Sequence, residues 1–212
     1  MTTPNRALIV VDVQQEYFAG PLEIQYPSVD DSLARVAEAI DAASAAGIPV
    51  VVFQHTSGEG SPVFDPSTEA FALHPEIERR RRSDWKSITK QYSSVFADTD
   101  LLDWLHENSL DTVTLVGYMT NNCILASAAG AEAVGITAEV LSDATGAISL
   151  GNDAGHVDAE TVHRTLMALL DSNFAAVATT KGWTTAVSAG QPLAASNLPE
   201  SATAGAARFP RG

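Results

Sequence analysis

The chain is poor in cysteine, in cations and in long apolar runs. One thiol, Cys123, among 212 residues allows no intrachain disulfide, which fits a reducing compartment. Twelve Lys and Arg stand against 26 Asp and Glu, a formal net charge of −14. That charge repels phosphate backbones and anionic membrane surfaces, so neither is expected as a partner. No run approaches the roughly 18 apolar residues that a membrane span needs. The N-terminus lacks an apolar stretch followed by a cleavage site, because a core-like pattern begins at Ala7. The expected location is cytoplasmic.

What is present is a 45% hydrophobic chain, enough for one domain with a substantial core. Continuous apolar, β-branched runs at 6–13, 48–53 and 111–117 read as strands buried on both faces. Further strands are expected at 85–90, 135–141 and 174–177. Helical periods fall between them, at 30–46 with Gly47 as the stop, after Thr99 or Asp100, after Cys123 and after Asp158 or Glu160. Strand, helix and strand with short joints make βαβ units, so the expected fold is a three-layer α/β/α sandwich with a mostly parallel, Rossmann-like sheet. Residues 1–184 form this domain. Residues 185–212, rich in Ala, Ser, Pro and Gly, are expected to be a flexible or subunit-wrapping tail. Residues 54–84 are too long for an ordinary connection and suggest an extended surface element or lid.

Three strand ends carry groups with matched chemistry. Asp12 ends the first strand, Lys90 ends the strand at 85–90, and Cys123 opens a helix after the strand at 111–117. Each has a bland alternative: a loop carboxylate, a solvated amine, a small buried hydrophobe. A doubly wound sheet gathers the carboxyl ends of its strands along one crevice, where distant residues can meet. In that setting Lys90 and the helix terminus are expected to lower the thiol pKa, with Asp12 taking and returning a proton. His55 and His74 lack the spacing of a metal site, and the arginine run 79–82 reads as a solvated face.

The residues resemble the isochorismatase-like cysteine hydrolases. The marks are Val10-Val11-Asp12-Val13-Gln14 with Phe18, Lys90-Gln91-Tyr92-Ser93-Ser94-Val95-Phe96 with Thr99 and Leu101, Gly117-Tyr118-Met119-Thr120-Asn121-Asn122-Cys123, and Leu141-Ser142-Asp143-Ala144. The resemblance implies a triad of Asp12 as general acid and base, Lys90 as electrostatic partner and Cys123 as nucleophile. It also implies a cis peptide at Tyr118-Met119 and an oxyanion hole from the backbone N–H groups of Met119 and Cys123. Members that cleave the vinyl ether of isochorismate lack this cysteine, so its presence points to an amidase acting on a C–N bond of a small molecule. Nicotinamidase-like members carry an Asp-x-His metal motif where this chain has Phe53-Gln54-His55. No metal and no cofactor are therefore expected, and nicotinamide ranks below other amides.

By position, the substrate-binding candidates are Gln14, Phe18, His55, Trp85, Tyr118 and Asn121, while Asp143 and His163 read as structural. The family and the tail suggest a homo-oligomer. Response-regulator receivers, haloacid-dehalogenase-like phosphatases and dinucleotide-binding domains fail for want of their acidic pairs or glycine-rich turn. The remaining alternative is a non-catalytic or redox-sensing protein using Cys123 as a reactive thiol.

Overall fold

The computed structural model describes residues 3–210. Six strands form the central sheet: β1 Arg6–Val11, β2 Val50–His55, β3 Lys86–Lys90, β4 Thr112–Tyr118, β5 Thr137–Gly146 and, after a hairpin, a short last strand at Ala176–Ala178. The hairpin pairs β6 Leu150–Asn152 with β7 Gly155–Val157, so the last strand is β8. The sheet order is β3-β2-β1-β4-β5-β8 and every neighbouring pair in it is parallel.

Alternation explains why β1 is apolar throughout. Ala7, Ile9 and Val11 point into one core and Leu8 and Val10 into the other, all with no exposure, as a strand covered on both faces requires. Helix α1, Val29–Ala45, covers one face through Leu33, Val36 and Ile40, with the short α2, Pro75–Glu78, and α6, Thr180–Ser188. The other face carries α3 Leu101–Glu107, α4 Leu125–Ala133 and α5 Ala159–Leu169. Side-chain caps start several of these helices: Ser28 Oγ accepts from Asp31 N, and Asp158 from Thr161 N.

Some expectations shift. β1 stops at Val11 because Asp12 adopts φ 51°, a left-handed conformation that Asp tolerates better than most residues. β5 runs on to Gly146, with a register irregularity between Leu115 and Gly117 of its partner β4. The hairpin at 150–157 had no apolar alternation to announce it, and its six strand residues are all exposed. Segment 54–84 is anchored through buried Phe64, Leu73 and Ile77 and an antiparallel bridge between Gln14 and Leu73.

The tail is also more ordered than its composition suggests. Helix α6 crosses residue 184 and buries Trp183, and Gln191 O accepts from Arg6 Nη2 at 2.8 Å. A last helix, α7 Leu198–Arg208, is capped by Asn197, whose side chain accepts from Glu200 N. The Asn-Leu-Pro-Glu start is a good N-terminal signal that the Ala-rich composition masked. No helix among the described residues is long and apolar enough to cross a membrane.

Candidate active site

The sheet order reverses between β1 and β4, the position at which an open parallel sheet leaves a crevice beyond its carboxyl ends. Asp12 leaves β1 there, and the turn that carries Cys123 leaves β4. The two backbones are in close contact: a Cβ on Gly117, which sits at φ +103°, would meet Val11 O at 2.1 Å. Only glycine fits. The next peptide, Tyr118–Met119, is cis, and the chain then makes a π-helical turn, Thr120–Ile124, that runs into α4 with Cys123 inside it. Such turns are rare and recur at functional sites.

The turn is held by struts from three directions. Ser127 Oγ donates to Cys123 O at 2.5 Å and accepts from Val95 N at 3.0 Å. Ser93 Oγ donates to Asn122 Oδ1 at 2.7 Å. Thr120 Oγ1 is 3.0 Å from His163 Nδ1, and the other His163 nitrogen, Nε2, is 3.0 Å from Ser142 O. Because a carbonyl only accepts, Nε2 carries the proton and Thr120 donates to Nδ1. Asp143 accepts from Thr180 N at 2.7 Å. The motif after Lys90 is therefore scaffolding for the thiol, and so is His163, whereas Asp143 anchors the start of α6.

Lys90 is the hub. Its ammonium lies 2.6 Å from Asp12 Oδ2, 3.3 Å from Cys123 Sγ and 3.4 Å from His55 Nδ1. Asp12 has no exposure, Lys90 2% and Cys123 1%. Neither Asp12 oxygen has a well-aligned hydrogen-bond donor, although the ion pair is short; the contact is electrostatic more than directional. Asp12, His55 and Cys123 place one ligand atom each within 4.8 Å of one another, a grouping of the kind that holds metals. Here the Lys90 ammonium touches all three, so a positive charge already occupies the place where they converge.

Burial reverses one expectation. The Cys123 thiol is pushed up to about 12, first by burial and then by the Asp12 charge, which together outweigh the opposing pull of Lys90. The resting thiol is protonated, beside a lysine–carboxylate pair. Burial and Lys90 also lower His55, leaving it neutral.

The other sequence candidates separate. Gln14 is a staple: Oε1 accepts from His55 N at 2.7 Å, and Nε2 donates to His55 O and Phe71 O at 3.1 and 2.9 Å. Tyr118 is wholly buried, with its hydroxyl 2.8 Å from Ser32 Oγ on the α1 side. Phe18 is half-buried between His74 and Tyr118. Asn121 lies in the same turn as Cys123 with Oδ1 buried and unbonded. Trp85 is not near the triad. It precedes β3, whose first residue pairs with Val51, and lines a cavity with Val50 and Trp104 at the amino ends of the strands. A strand presents its two ends to opposite edges of the sheet, so Trp85 and Lys90 cannot share a crevice.

The sequence reading missed Tyr17. Its ring packs on Phe64 and Tyr118, and burial, then the charges of Cys123, Asp12 and Glu16, raise its phenol well above the usual value. Its place beside Phe18 in a loop gave no periodicity to choose between the two aromatics. The arginines at 79–82 are each paired with an acid, Glu76, Asp41, Glu78 and Asp84 in turn, and carry no free charge toward the site.

The family model of the isochorismatase domain matches residues 6–182. An uncharacterized isochorismatase family protein of Bacillus subtilis, YddQ, is 30% identical over 86% of this chain and 99% of its own. The ureidoacrylate amidohydrolase RutB of Methylobacterium radiotolerans is 29% identical over 94% of this chain and 82% of its own. A crystal structure from Burkholderia xenovorans LB400, described as an isochorismatase candidate, superposes with a TM-score of 0.94 at 45% identity, covering 98% of this chain and 99% of that one. The chain belongs to the isochorismatase family, an α/β family of hydrolases that includes amidohydrolases.

Proposed function

We propose that the protein is a cysteine hydrolase that cleaves a C–N bond of a small amide through a thioester on Cys123. The observation that carries this reading is the position of Lys90 Nζ, within 2.6 Å of the Asp12 carboxylate and 3.3 Å of the Cys123 sulfur. As sulfur bonds to the amide carbon, the thiol proton passes to Asp12, and the ammonium stabilises negative charge at either end of that transfer. The carbonyl electrons move onto oxygen, where the N–H groups of Met119 and Cys123 would hold them; Met119 O is already occupied by Asn122 N and Ile124 N. The C–N bond then breaks and the amine takes the proton from Asp12. Water adds to the thioester, giving its proton to Asp12, and the acid leaves as sulfur regains it.

A protonated thiol supports this sequence over redox sensing. A sensor cysteine needs a low pKa and an open approach, and Cys123 has a raised one and 1% exposure. In the hydrolase, the thiolate is needed only while substrate is bound. Incubation with a panel of small amides, followed by mass spectrometry, tests the reading. An acyl adduct on Cys123 that Asp12→Asn fails to form is expected. Turnover that survives in Cys123→Ala overturns it.

A further inference from the structure

The Lys90 ammonium is buried and carries three N–H groups, each of which needs an acceptor once water is excluded. Asp12 Oδ2 at 2.6 Å and Cys123 Sγ at 3.3 Å take two of them. The third neighbour is His55 Nδ1, at 3.4 Å. An ammonium only donates, so Nδ1 is bare and the ring proton sits on Nε2. The imidazole is neutral, as that role requires, because burial first and the Lys90 charge second lower its pKa while Asp12 opposes them.

The fold places this ring and holds it. His55 ends β2 and Lys90 ends β3, and the two are partners in the parallel register, so their side chains leave the sheet on one face. The His55 peptide groups are fixed by Gln14, two residues beyond Asp12: Oε1 accepts from His55 N at 2.7 Å, and Nε2 donates to His55 O at 3.1 Å. One buried amide thereby sets the end of β2 against the end of β1. The ring itself meets Phe64 edge to face, with centroids 5.0 Å apart and planes at 83°. Phe64 reaches that position with a left-handed φ of 53°, which a bulky residue adopts only where its surroundings impose it. Packing alone asks for no such orientation; an acceptor aimed at Lys90 does.

We propose that His55 is a positioning residue: as the third acceptor it keeps the Lys90 ammonium shared between the Asp12 carboxylate and the Cys123 sulfur. Its effect on turnover rests on the hydrolase reading, whereas its contact with Lys90 and its effect on the thiol do not. As the thiol proton travels to Asp12, negative charge leaves the carboxylate and appears on sulfur. An ammonium held by those two groups alone follows the better acceptor, and at 2.6 Å the carboxylate is the better one. The neutral Nδ1 gains no charge in either state and keeps Nζ within reach of both. In this role His55 touches Lys90 and not the substrate, so its loss falls on kcat and leaves KM little changed.

Two measurements test the proposal. Nitrogen-15 NMR of the histidine-labelled parent near neutral pH, with the His55 signals identified by their loss in His55→Asn, reads the tautomer. A bare Nδ1 and a protonated Nε2 are expected, and a proton on Nδ1 overturns the proposal. The second measurement compares His55→Asn with His55→Leu, which match in shape and open the site alike, while only Asn puts an acceptor near the place of Nδ1. Iodoacetamide alkylation of Cys123, followed in the alkaline range where thiolate supply limits it, is expected to be about fivefold slower in His55→Leu than in His55→Asn, the scale of one ordinary hydrogen bond. With an amide that turns over, His55→Leu is expected to lower kcat by about tenfold to a hundredfold, the scale of a small misplacement of reacting groups, and His55→Asn to recover most of that loss. Equal alkylation rates in the two variants, or a loss confined to KM, overturn the proposal. If no amide acylates Cys123 even in the parent, the hydrolase reading falls, and the tautomer and the alkylation ratio still decide the positioning role. If amides acylate Cys123 but the Asn and Leu variants turn over alike, the hydrolase stands and the positioning role falls.

Discussion

Gly117 and Val11 touch backbone to backbone: the missing Cβ of Gly117 would sit 2.1 Å from Val11 O. This contact sets the distance between β1 and β4 one residue before Asp12 on one strand and one residue before Tyr118 on the other. The triad therefore depends on a residue that has no side chain and takes no part in chemistry.

Gly117→Ala meets both a backbone clash and a φ of +103°. Overpacking and an unfavourable φ together are expected to cost on the order of 2–5 kcal/mol. Urea unfolding should show the loss, and amide turnover should fall with it. A variant as stable and active as the parent would mean that the strands separate easily.

Lys90→Met removes one member of an ion pair in which neither side chain has any exposure. Breaking such a pair leaves an uncompensated buried charge, at roughly 3–5 kcal/mol. Asp12→Asn in the same background should recover part of the stability, because the orphaned charge goes with it, yet recover none of the activity. A double-mutant cycle by chemical denaturation measures the coupling.

The raised thiol predicts two pH responses. The folded-state value of about 12 exceeds the ordinary 9.0, so the neutral thiol contributes stability that is fully present below about pH 9 and declines as pH rises toward 12. Cys123→Ala should remove that part of the alkaline decline. In the parent, iodoacetamide alkylation should keep rising about tenfold per pH unit beyond pH 9, where free cysteine levels off. A plateau near pH 7 would show a thiolate already formed at rest.

His163 is buried and its pKa is lowered, chiefly by that burial. Its contribution is present above about pH 6.5 and is lost as pH falls through the lowered folded-state value. Protonation at Nδ1 also removes the acceptor for Thr120 Oγ1. His163→Phe should flatten the acid limb of the stability profile. It leaves the Thr120 hydroxyl unpaired at a cost of about 1–3 kcal/mol, and lowers kcat by loosening the nucleophile turn.

Much of the candidate site was legible because it sits at strand ends. Asp12, Lys90 and Cys123 each follow an apolar or alternating run, and a parallel sheet brings such positions to one edge. Trp85 failed that test by standing at the beginning of its strand. Tyr17 and Gln14 lie in an aperiodic loop, where nothing in the order of residues says whether a side chain faces the site, the core or a backbone partner.

By itself the sequence determined the layers, the parallel sheet and the chemical identity of the three groups that meet, because periodicity and local turn chemistry act between near neighbours in the chain. Only the tertiary structure decided the protonation of the thiol. Burial of Cys123 and the charge of Asp12 opposed the lysine that the strand ends had brought beside it, and their balance depends on distances and solvent exclusion that no spacing along the chain encodes.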